Sequence, residues 1–199
     1  TRLGQSITNA MELAFAQAGG KLGGRAIELI KIDSEAKPPK AADLTNKLIG
    51  REKVDFIVGP VHSGVAMGMA KIAREEGTMM IVPNAGANQV TGPFCAPNIF
   101  RTSFSNWQPA YPGGVLMGKE GHKTCVTISW KYGAGIQMMA AGRDGFATTG
   151  GKSVKDILLP FPNVEFQAHL SEIAALKPDC VFAFFSGGGA TKFLKDYEA

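Results

Sequence analysis

The chain has 199 residues, 45% hydrophobic and 19% charged, with 25 Gly and 11 Pro. That composition suits a globular α/β protein and excludes a disordered or fibrous one. The 21 Lys and Arg exceed the 17 Asp and Glu by four, but the charges are scattered singly, so no nucleic-acid partner is expected. No apolar run approaches the roughly 20 residues of a membrane span, so no membrane insertion is expected.

The opening stretch places Ile7, Met11, Ala14, Phe15 and Ala18 on one helical face, ending at Gly19 and Gly20. Residues 26–33 then alternate Ile27, Leu29 and Ile32 with Glu28 and Lys31, which predicts a strand. Pro38 and Pro39 open a helix carrying Leu44, Leu48 and Ile49, and the run V-D-F-I-V-G at 54–59 is a strand closed by a glycine turn. A helix over 63–76 turns Ala66, Met69, Ala70 and Ala73 inward, and the short apolar run 79–82 follows as a buried strand. Continuous apolar strands between helices indicate a parallel sheet covered on both faces.

From 83 to 112 the chain is rich in Asn, Gly, Pro and Ser, and only 99–101 reads as extended. Alternation then resumes: a helix near 110–119, a strand at 124–130, a helix at 135–148 and a strand at 153–159. A helix with Phe166, Leu170, Ile173 and Ala174 inward precedes a strand at 180–185, a glycine loop and a final helix from Ala190. This pattern fits two α/β lobes: 1–100, a hinge at 101–108 that includes Arg101 and Thr102, and 109–199. No strand precedes the opening helix to set up the first crossover, and nothing after the last helix returns to the first lobe. The expectation is a fold incomplete at both ends, cut from a longer protein.

In open parallel sheets, ligands bind beyond the carboxyl ends of the strands. Five turns fall there. In G-P-V-H-S-G-V-A at 59–66, the Ser63 hydroxyl and the amides around Gly64 suit a carboxylate, while Ser63 serves equally as a helix N-cap. In V-P-N-A-G-A-N at 82–88, Ala85, Gly86 and Ala87 let a ligand approach the backbone. Trp130 and Tyr132 leave a strand as amphipathic aromatics, with core packing as the other reading. Phe185, Ser186 and Gly187 open the last glycine loop, and Arg101 is suited either to grip a carboxylate or to brace two lobes.

Enzyme signatures are lacking. The three histidines, His62, His122 and His169, have no metalloprotease spacing, and there is no G-x-S-x-G elbow, phosphate loop, dinucleotide fingerprint or C-x-x-C pair. No catalytic residue, metal or cofactor is expected. Cys125 and Cys180 begin apolar strands and read as buried thiols, whereas Cys95 lies in a turn-rich loop.

An ordered set of segments carries a resemblance: G-x5-A-x-E-L-A-x4-G-G from Gly4, V-G-P-V-H-S-G-V-A, V-P-N-A-G-A-N, I-F-R-T-S, W-K-Y-G-A-G and V-F-A-F-F-S-G-G. In this order they resemble the type I periplasmic solute-binding proteins of the leucine/isoleucine/valine group, the receptors of ABC importers, over essentially the whole chain. The resemblance implies two Rossmann-like lobes with parallel sheets closing on a ligand, a periplasmic or lipid-anchored location, and a membrane permease as partner. It implies that Ser63 and Gly64 hold a carboxylate, that Ala85, Gly86 and Ala87 form a second binding loop, and that Tyr132 and the segment from Phe185 to Gly187 complete the site. Amino-acid receptors of the group commonly carry Ala-Ala-Thr or Ser where this chain has Ala85-Gly86-Ala87, and their ammonium-binding acid would lie beyond Ala199. The expected ligand is therefore a small carboxylate, an aromatic or aliphatic acid at least as readily as an amino acid. The alternatives are a ligand-sensing domain of a receptor or regulator, marked by a transmembrane or helix-turn-helix segment elsewhere, and an α/β nucleotide-dependent enzyme, marked by turnover.

Overall fold

Residues 1–198 are described by a computed structural model. The apolar spacing at the start forms helix α1 (Arg2–Gln17), in which Ile7, Met11 and Phe15 are half-buried along one side. Thr1 caps it by accepting the Gly4 N–H at 3.0 Å. A two-residue antiparallel hairpin follows, β1 (Lys21–Leu22) and β2 (Arg25–Ala26). Its turn is Gly23 and Gly24, both at positive φ, the left-handed geometry that two-residue hairpins demand.

The strand predicted at 26–33 does not form: only Ala26 enters a ladder, and residues 27–33 pair with no strand among the described residues. Along them Ile27, Leu29, Ile30 and Ile32 are half-buried and Glu28, Lys31 and Asp33 exposed. Apolar alternation fixes which side faces inward, whereas a strand also needs a neighbour to receive its N–H and C=O groups. The prolines open a short 3₁₀ turn (Pro38–Lys40), helix α2 (Ala41–Asn46) and one π-turn (Lys47–Arg51).

Strands β3 (Phe56–Val58), β4 (Met79–Val82) and β5 (Ile99–Arg101) then form a parallel sheet in the order β3-β4-β5, with helix α3 (Ser63–Glu76) crossing between the first two. Val65, Ala66, Ala70 and Ala73 on α3 are buried together with Met80 and Val82 of β4.

After helix α4 (Trp107–Lys119), which starts three residues earlier than the apolar pattern suggests, come β6 (Thr124–Trp130), α5 (Gly133–Ala147), β7 (Lys152–Leu159), α6 (Gln167–Leu176), β8 (Cys180–Phe184) and α7 (Gly188–Glu198). Their sheet is parallel, in the order β7-β6-β8. Every residue of β6 from Cys125 to Trp130 is buried, as a central strand covered on both faces requires. Its two buried hydroxyls find partners: Thr127 donates to Asp156 at 2.6 Å and Ser129 to the Phe184 carbonyl at 2.7 Å. Asp179, just ahead of β8, accepts the Lys123 and Thr124 N–H groups, both at 2.8 Å, and so ties the entry of β6 to that of β8. These backbone donors hold its carboxyl below the usual aspartate range.

Helices α4 and α5 pack through glycine. A Cβ on Gly114 would stand 1.9 Å from the Gly142 carbonyl, and one on Gly145 would stand 2.1 Å from the Tyr111 carbonyl. Only hydrogen lets the two backbones approach so closely. Cys125 is buried, Cys180 half-buried and Cys95 exposed, all three as free thiols.

The chain divides into two compact units, one of Thr1–Ala85 with Gln89–Ser103, the other of Gly86–Asn88 with the chain from Phe104 onward. Residue 199, the end of the expected second lobe, lies outside the described residues. No described helix is long and apolar enough to cross a membrane.

Candidate functional site

In the first unit β3, β4 and β5 run parallel, so the turns after them leave one edge of their sheet. Backbone bonds knit them together: Gly59 N–H donates to the Ile81 carbonyl at 2.9 Å, Ala85 N–H to Pro60 at 3.1 Å and Thr102 N–H to Val82 at 3.1 Å. Ala85 is thereby held beside the 59–62 turn that leads into α3. Ser63, the first residue of α3, is 2% exposed.

The capping expected of Ser63 belongs to its neighbour. His62 is the N-cap of α3, and its Nδ1 accepts the N–H of Gly64 at 3.0 Å and of Val65 at 3.4 Å. The physical reason is reach. An N-cap residue lies outside the helix with its side chain folded over the first turn, and His62 has that extended backbone, φ −84° and ψ 125°. The Gly64 amide, expected to serve a carboxylate, is therefore engaged by the imidazole. An accepting Nδ1 must be unprotonated, and burial pushes the His62 pKa below the ordinary histidine value. Arg101 donates to the Thr91 hydroxyl within the same unit, and burial lowers its pKa too.

In the second unit the turns after β6, β7 and β8 build an aromatic cluster. Tyr132 stacks on Phe161 with centroids 5.2 Å apart and planes 28° apart, and its hydroxyl is hydrogen-bonded to the Ser186 side chain. Burial raises the tyrosine pKa, so the hydroxyl stays neutral and able to donate. Trp130 lies beneath, 3% exposed, edge-on to Phe161 and Phe185 at 5.2 Å each. Its indole N–H donates to the Asn163 carbonyl at 2.5 Å. Phe185 is 7% exposed and packs on Phe166 and Phe193. Trp130 and Phe185, singled out as ligand walls, thus form the core floor of the cluster, with Tyr132 and Phe161 above it. Gly187 turns the chain into α7 at a φ of +56°.

Gly86 and Ala87 belong to the second unit. The Asn106 N–H donates to the Gly86 carbonyl at 2.7 Å, and a Cβ on Gly86 would stand 2.2 Å from Asn106 Oδ1. Packing against Asn106 therefore accounts for a glycine where the group's amino-acid receptors carry Ala-Ala-Thr.

Sequence reasoning did not single out His62, Phe161, Asn106 or Gln137 as site residues. His62 stands directly before a helix start, a local signal that favours a cap. The other three meet their partners across 20 to 49 residues of chain, for which no local pattern exists. No group of three His, Cys, Asp or Glu suited to a metal occurs among the described residues.

A family profile described as periplasmic binding protein matches residues 2–199. A solute-binding protein of an ABC transporter from R. palustris, solved in complex with benzoate, is 57% identical with a TM-score of 0.94, covering 98% of this chain and 54% of its own. A second, from Rhodopseudomonas palustris BisB5 with 3,4-dihydroxybenzoic acid, is 31% identical with a TM-score of 0.89 over 98% of this chain and 53% of its own. The Leu/Ile/Val-binding protein homolog 6 of Brucella abortus (strain 2308) is 26% identical over 196 residues, 98% of this chain and 50% of the relative. The chain spans about half the length of the relatives it matches. Two parallel α/β sheets, strand-to-helix turns in the expected order and a match along the whole chain lead to one conclusion: the chain belongs to the periplasmic binding protein family, in its type I leucine/isoleucine/valine group.

Proposed function

We propose that the chain is part of an extracytoplasmic, non-enzymatic receptor that captures a small aromatic carboxylate for the permease of an ABC importer. The observation that carries this reading is the 57% identity, at a TM-score of 0.94, to a solute-binding protein solved with benzoate. The chemistry agrees with it. The Tyr132–Phe161 pair offers a flat apolar surface with a hydroxyl at its rim, and ring-on-ring contact contributes about 0.5–1.5 kcal/mol beyond buried area. Ser63, at the positive end of the α3 dipole, suits an anion. The triplet Ala85-Gly86-Ala87 brings no hydroxyl to an ammonium group. Capture works by population shift, the ligand favouring whichever conformation completes its contacts.

Thermal-shift and calorimetric titration of the full-length protein with benzoate, 4-hydroxybenzoate, 3,4-dihydroxybenzoate, leucine, isoleucine, valine and phenylalanine test the reading. Stabilisation by the benzoates is the expected result. Stabilisation by the amino acids alone would refute the ligand class and favour the amino-acid reading suggested by the name of the Brucella relative.

A further inference from the structure

Three separate parts of the second unit converge on one side-chain oxygen. Gln137, on α5, accepts at Oε1 both the Asn88 N–H at 3.0 Å and the Asn106 side-chain N–H at 2.8 Å. Asn106 is 2% exposed, and its own N–H reaches the Gly86 carbonyl at 2.7 Å. Asn88 closes the circuit, its Oδ1 accepting the N–H of Trp107, the first residue of α4, at 3.1 Å. The side chain that caps α4 thus comes from Asn88, while Asn106, which precedes the helix, turns its amide toward Gln137. Gly86 fits against Asn106 because it lacks a Cβ. Every link uses a donor and an acceptor that local secondary structure does not supply.

We infer that Gln137 is a positioning residue for ligand capture: by accepting from Asn88 and Asn106 it fixes the Gly86–Asn88 segment on the second unit and sets the conformation of the binding loop that continues into it. The inference rests on the reading of Ala85, Gly86 and Ala87 as a ligand-binding loop. It assigns to α5 a control over affinity exerted without contact with the ligand. One oxygen serves two donors, so its loss leaves two N–H groups to find new partners and the loop to choose among conformations it does not now adopt. A ligand that needs one of these conformations then binds more weakly by the fraction of molecules holding it.

The test uses the full-length protein with Gln137→Met, which keeps length and removes the acceptor, and Gln137→Glu, which keeps it. Amide hydrogen exchange at Asn88 and Trp107 reads the circuit without any ligand, and calorimetry with benzoate reads its consequence. Gln137→Met is expected to speed exchange at both amides, to weaken benzoate about tenfold, the scale of one or two lost hydrogen bonds, and to lower the melting temperature. Gln137→Glu is expected to restore both readouts. Unchanged exchange in Gln137→Met would overturn the circuit, and faster exchange with unchanged benzoate affinity would overturn its role in capture. If the unaltered protein binds no benzoate, the proposed ligand class fails, and the affinity readout moves to whichever carboxylate of the panel does bind. If none binds, the role in capture falls with the ligand class, and the exchange data judge the circuit alone.

Discussion

Replacing His62 with alanine removes the imidazole that caps the first turn of α3. The imidazole takes the Gly64 N–H at 3.0 Å and, more weakly, the Val65 N–H at 3.4 Å, and Val65 is fully buried. Loss of an N-cap costs about 0.5–2 kcal/mol. A buried N–H left without a partner costs about 1–3 kcal/mol, but the longer bond to Val65 recovers only part of that, so the total is expected near 1–3 kcal/mol. Urea denaturation followed by circular dichroism measures it, and His62→Asn, a stronger cap, should recover most of the loss. The dependence on pH has a definite sign. Burial lowers the folded pKa below the unfolded one, so the unfolded chain takes up the proton first as pH falls. The contribution is complete above the ordinary value of about 6.5 and is lost as pH drops through the lower folded value. The gap between the native protein and His62→Ala should narrow over that range. An identical denaturation midpoint for His62→Ala at neutral pH, or a gap that widens on acidification, would refute the assignment of the cap.

Gly114→Ala should destabilise the protein by about 1–3 kcal/mol, visible as a lower urea midpoint, because the new methyl would meet the Gly142 carbonyl backbone, which cannot turn aside as a side chain could. Asp179→Ala should loosen the joint entry of β6 and β8, raising exchange at the Lys123 and Thr124 amides. Because these donors depress its pKa, that protection should be full above the unfolded aspartate value and fade as pH falls through the folded one.

Much of the fold was legible in short stretches. The strands at 79–82, 99–101 and 124–130 and the helix at 63–76 lie where the apolar pattern set them, because each stretch is bounded by turns; the cover expected on both faces holds for 124–130, whereas Met79 and Phe100 of the first sheet are exposed. Residues 27–33 half-bury their apolar side chains and form no strand, since pairing depends on a neighbour that the pattern cannot supply. The site was legible as a set of turns and less so as chemistry. Ser63 and Gly64 were singled out where a carboxylate would bind, but the imidazole beside them occupies the Gly64 amide. Trp130 stood at the right turn and follows its core-packing reading, 3% exposed and edge-on to Phe161 and Phe185. Gly86 looked like a mark of ligand choice and is fixed by Asn106, a partner 20 residues away.

Both tryptophans of the chain, Trp107 and Trp130, belong to the second unit. Intrinsic fluorescence therefore reports on that unit alone. The two emitters also differ: Trp130, at 3% exposure among aromatic rings, should emit at short wavelength, whereas Trp107, 46% exposed and stacked on Tyr111 at 4.6 Å, should emit at long wavelength and yield to aqueous quenchers. Loss of structure confined to the α3 region would leave the emission spectrum unmoved while the helical signal fell, so the two optical probes together separate the melting of one unit from that of the other.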